Sequence, residues 1–159
     1  MNRRTAIKQL FILAGGIAIA TSCNPSSNSS SIALRDVPFT AAEEEFLGSC
    51  VEAIIPQSDS PGARELNLHL FVMKMVDDCQ SPEEQKEFLA GLQAAISATD
   101  SSPAALQAYL GKLPAEDVFF KILKRRTIQG YLNSEYVMKN KLVYELVPGR
   151  YNGALKIEA

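Results

Sequence analysis

The sequence predicts an all-α protein: a single irregular bundle of about five helices with an extended C-terminal tail. Three observations point there. Apolar residues recur three and four positions apart, the spacing of one helix face. Two segments open on N-terminal boxes, TAAE at Thr40–Glu43 and SPEE at Ser81–Glu84. No convincing run alternates apolar with polar residues, as a half-buried strand would.

Residues 1–22 stand outside this fold. Arg3, Arg4 and Lys8 precede an apolar run from Leu10 to Ala20. A bilayer core needs about 20 apolar residues, so the run is too short for a comfortable span. Charge, a short apolar stretch and small residues before a cysteine describe an export signal. NRRTAIK (Asn2–Lys8) resembles the twin-arginine export motif, with Ala6 where phenylalanine is usual. ATSC (Ala20–Cys23) resembles a bacterial lipobox, with Ala20 in place of the usual leucine. Cys23 is then the lipidated residue, and two or more acyl chains would anchor it stably. The expected location is the cell envelope, membrane-anchored and facing the periplasm. Residues 23–37 read as a lipidated flexible tether, because NPSSNSSS (Asn24–Ser31) has too little apolar surface to order itself. Residues 38–159 read as one helical domain.

Within that domain each helix has a start and a stripe. The first opens at Thr40, lines up Phe46, Leu47, Cys50, Val51, Ile54 and Ile55, and closes at Pro56. PQSDSPGA (Pro56–Ala63) is a turn-rich loop. The second runs from about Glu65 to Asp78 on Leu68, Phe71, Val72, Met75 and Val76. The third starts with Pro82 at its first helical position and buries Phe88, Leu89, Leu92 and Ile96. A short fourth helix follows SSP at Ser101–Pro103. The fifth spans about Ala115 to Leu132 on Val118, Phe119, Ile122, Leu123 and Ile128, and a short helix near Glu135–Lys141 is plausible. Pro148 and Gly149 keep the tail from Leu142 to Gly153 extended.

Chemistry is sparse. His69 is the only histidine, so a triad or a His-based zinc site lacks partners, and it reads as a surface or boundary residue. No glycine-rich phosphate loop occurs, nor a C-x-x-C-H haem site. Catalytic, cofactor-binding and metal residues are therefore expected to be none. The signal holds three of the 16 Lys and Arg and none of the 18 Asp and Glu, so the remainder carries a formal −5. An acidic domain of this kind has no footprint for nucleic acid. The acidic pairs at helix ends read as dipole partners where they fall in a first turn. KILKRR (Lys121–Arg126) is a basic stripe, either a solvated face or a docking surface for an acidic partner. An antiparallel hairpin would set Cys50 and Cys79 on the order of 10 Å apart along the helix axis, beyond disulfide reach. Two buried free thiols are expected.

Two blocks carry a resemblance. VEAIIPQSDSPGARELNLHLFVMKMVDD (Val51–Asp78) and LKRRTIQGYLNSEYVMKNKLVYELVPGRYNG (Leu123–Gly153) are similar to the gluconate 2-dehydrogenase subunit 3 family. The resemblance implies a small non-catalytic accessory subunit of a large FAD-dependent flavoprotein of the glucose–methanol–choline type. That flavoprotein would oxidise a sugar or sugar acid, with a c-type cytochrome as a frequent electron acceptor. The small subunit would escort it through export, stabilise it and attach it to the membrane. The segment from Ser134 to Gly149 lacks the Gly pair and Trp usual in that family. Partner contacts are expected at Pro61 and Gly62 of the loop and at Tyr144, Pro148, Gly149 and Tyr151 of the tail. The alternative is a stand-alone tethered periplasmic binding lipoprotein.

Overall fold

The computed structural model describes residues 29–142, together with Gly149 and Ala154. Six helices follow in order: α1 (Ala41–Ile54), α2 (Leu68–Cys79), α3 (Pro82–Ala98), α4 (Pro103–Leu110), α5 (Val118–Leu132) and α6 (Glu135–Asn140). Among the described residues there is no strand; one isolated bridge pairs Ser29 with Thr40. The all-α expectation holds. Helix α5 sits at the centre, packed on α1, α2 and α3, and α4 covers the far side of α1.

Both predicted boxes form. The Glu43 amide donates to Thr40 Oγ1 (3.2 Å) while the Glu43 carboxylate accepts from the Thr40 amide (2.8 Å). Ser81 and Glu84 make the same reciprocal pair at 3.3 and 3.2 Å. Each such cap is worth ~1 kcal/mol. Two helices start later than the sequence pattern suggests. Asn67 takes a left-handed backbone (φ 54), which ends a turn over Ala63–Asn67 and moves the start of α2 from Glu65 to Leu68. Asp117 caps α5 through the Phe120 amide (2.9 Å), so α5 begins at Val118 rather than Ala115.

The core is one cluster. Leu47, Val51, Val72, Met73, Val76, Phe88, Leu92, Leu106 and Leu123 are fully buried. Phe39, Phe88 and Phe119 pack in series, the first pair edge to face and the second tilted, with centroids 6.4 and 5.2 Å apart. Gly91 lets α3 approach α5 closely: a Cβ there would lie 2.3 Å from Phe119 Cβ. Two apolar residues assigned to the core are exposed instead, Ile96 at 37% and Ile128 at 39%. At roughly 100° per residue, Ile128 lies about 140° round α5 from buried Leu123. Ile96 lies one position beyond the line Phe88, Leu92, Ala95 that faces the core.

The stretch before α1 is part of the domain from Ser29 onward. The Ser30 amide donates to Phe39 O (3.1 Å). Ser31 donates through its amide and hydroxyl to the Glu44 carboxylate, and Ile32 and Leu34 pack on the core. Val37 is buried. Asp77 closes this strap: its carboxylate accepts from the amides of Arg35 (2.8 Å), Asp36 (2.7 Å) and Val37 (3.0 Å). Burial works against its charge, yet the three amides and Lys74 outweigh that and hold the carboxyl at about 2.

Candidate partner interface

The best-defined functional candidate is the loop between α1 and α2. Its two ends are tied to one side chain. Glu52, in the last turn of α1, accepts from the Gln57 amide through Oε1 (2.9 Å) and from the Arg64 amide through Oε2 (2.9 Å). The Ala63 amide donates to Ile55 O (2.9 Å), and the Ser58 amide to Ser60 O (3.0 Å). Arg64 returns to α1, pairing with Glu45 and donating to Ser49 Oγ (3.3 Å). From the far side, Tyr131 of α5 donates its hydroxyl to Ser60 Oγ (2.9 Å). The loop is thus braced at four points, and its tip, Pro56–Asp59, is exposed.

Pro61 is half-buried and Gly62 is buried. Glycine at position 62 is not there for a left-handed turn. No glycine among the described residues has a positive φ. What Gly62 supplies is room: a Cβ there would lie 2.4 Å from Glu52 Oε1. Glu52 and Tyr131 were not among the candidates. Glu52 had a signal, since a carboxylate in the last turn of a helix opposes the dipole and calls for donors nearby. Tyr131 had none, because 71 residues separate it from Ser60.

The remaining candidates divide. Arg3, Arg4, Cys23, Tyr144, Pro148 and Tyr151 lie outside the described residues. Gly149 is exposed, with nothing within 4 Å of a Cβ added there. His69 is half-buried at the α1–α2 boundary, its ring 3.8 Å from the position of a Cβ on Gly48. Burial lowers its pKa, opposed by Glu44 and Glu45 and aided by Arg64. Both described cysteines are free, as expected, but only Cys50 is buried; Cys79 ends α2 and is exposed. Burial pushes the Cys50 thiol up to about 12, so it is an inert core residue. Among the described residues no group of three or more His, Cys, Asp and Glu could hold a metal, and no helix is long and apolar enough to cross a membrane.

A family model described as gluconate 2-dehydrogenase subunit 3 matches residues 41–149, more than half of the chain and all six helices. The chain belongs to the gluconate 2-dehydrogenase subunit 3 family. Membership makes it a subunit type of a dehydrogenase complex and implies a dehydrogenase partner. No curated protein and no solved structure matches it.

Proposed function

We propose that this chain is a non-catalytic accessory and escort subunit of a periplasmic FAD-dependent dehydrogenase of the glucose–methanol–choline type. The observation that carries the reading is the family match across α1–α6 and the loop they hold. The large subunit carries FAD and oxidises a sugar or sugar acid; a c-type cytochrome takes the electrons. This chain supplies the address. Arg3 and Arg4 route the folded pair to export, and lipid on Cys23 holds it to the membrane. Ser29 is docked on the domain, so five residues separate Cys23 from the fold, a reach of at most ~20 Å. That attachment keeps the dehydrogenase beside a membrane-bound acceptor.

The test is recovery from native membranes in mild detergent through a C-terminal tag. A yellow eluate with a flavin band and a large co-purifying chain is expected. A colourless lone chain, from cells that express such a flavoprotein, overturns the reading.

A further inference from the structure

Ile128 and Leu132, 39% and 54% exposed, share one outward face of α5 with Lys121, Lys124 and Arg125. Basic residues occupy the first half of this face and apolar ones the second. Arg35, Arg64, Lys74 and Lys139 each pair with a carboxylate; none of Lys121, Lys124 and Arg125 does among the described residues. Lys86, Lys112 and Lys141 are also without an ion pair, but each stands away from this cluster in sequence. Three clustered, unmatched cations on a chain where acids outnumber bases, 18 to 16, are a local inversion of sign. Lys124 Nζ lies 5.6 Å from the centroid of the Phe120 ring, beside a shallow cleft of roughly 270 Å³ whose floor includes Ala115, Phe120 and Ile128. Next along the helix, Tyr131 grips Ser60. The α5 face therefore runs directly into the braced loop.

We infer that the outward face of α5 is a docking surface for an acidic, apolar-centred patch on the dehydrogenase partner, continuous with the Pro56–Ala63 loop. The inference rests on the accessory-subunit reading. Charge complementarity names the sign of the partner: unpaired cations at a rim steer an acidic surface and set association rate and salt dependence. Ile128 and Leu132 supply the water-excluding centre that sets lifetime. The concavity of the cleft favours a protein surface, with a side chain entering it, over a flat anionic bilayer.

The test uses the full lipidated chain in its native membrane. The triple variant K121E/K124E/R125E is compared with wild type and with the control K86E/K112E, whose cations are exposed and do not line the cleft. All three should show the same helical signal and unfolding midpoint. The triple variant should recover at least tenfold less flavoprotein, and the control should stay within twofold of wild type. Ile128 replaced by a photo-reactive p-benzoylphenylalanine should cross-link to the large chain. Equal recovery by the triple variant, or a cross-link only to lipid or to a second copy of this chain, overturns the inference while the accessory reading stands. If wild type itself recovers no flavoprotein, the accessory reading fails first and takes this inference with it.

Discussion

Replacing Asp77 with Asn tests the strap that ties residues 35–37 to the end of α2. The side chain is fully buried and accepts three backbone amides. A carboxyl held at about 2 instead of its ordinary 3.8 contributes about 2 kcal/mol at neutral pH. Asparagine removes that charge and turns one acceptor into a donor facing an amide, which adds about 1 kcal/mol. The expected loss is about 3 kcal/mol, or about 10 °C in Tm for a domain of this size. The assay is urea unfolding followed by circular dichroism at several pH values. The sign follows from the depressed pKa: the stabilisation is complete above the unfolded value near 4 and is lost as pH falls through about 2. The gap between wild type and D77N should therefore be full at pH 7, shrink below pH 4 and fall by about half near pH 2, where chiefly the ~1 kcal/mol of the misplaced amide donor remains. A gap under 0.5 kcal/mol at pH 7, or one that persists undiminished at pH 2, refutes this account of Asp77.

Gly62→Ala places a Cβ against the Glu52 carboxylate, so the loop must shift; a cost of ~1–3 kcal/mol in unfolding and reduced flavoprotein recovery are expected, and unchanged recovery would clear the loop of a docking role. With Cys23 replaced, a thiol reagent at pH 8 should label Cys79 quickly and Cys50 only in urea; two fast thiols in the folded chain would contradict the burial of Cys50. Ending the chain after Leu142 should leave the helical signal intact and lose the partner; equal partner recovery by the truncated form would remove the tail from the interface.

Helix existence was legible because it depends on local chemistry. Thr40 with Glu43 and Ser81 with Glu84 announce helix starts within four residues, and the structure forms both. Periodicity then placed Leu47, Val51, Val72, Phe88, Leu92 and Leu123 correctly in the core. It missed Met73, fully buried one position beyond Val72, because the buried face of α2 follows its contacts with α1, α3 and α5 rather than the most apolar line. It also buried Ile128, because a pattern of apolar spacing assigns every apolar residue to one face and has no term for a second. That error has content. Ile128 lies on the solvent side of a central helix, beside cations that make no ion pair among the described residues, and it falls within the docking surface inferred above.

A different kind of residue went unread, and it carries the tertiary structure of the loops. Glu52 and Asp77 both sit in the last turn of a helix, where the dipole disfavours a negative charge. Each is held there by backbone amides from a segment without helical structure: Gln57 and Arg64 for Glu52, Arg35 to Val37 for Asp77. The unfavourable dipole term, worth ~0.3–1 kcal/mol, is exceeded by charge-assisted hydrogen bonds of ~1.5–3 kcal/mol each. An acid at a helix C-terminus can thus act as a clamp for chain outside the helix, and here the two acids clamp the segment before α1 and the loop between α1 and α2. Asp77 holds the segment that leads back toward Cys23. Glu52 holds the loop that, through Ser60 and Tyr131, joins the face of α5. One electrostatic arrangement thus fixes both residues 35–37 before α1 and the loop that adjoins the proposed docking surface.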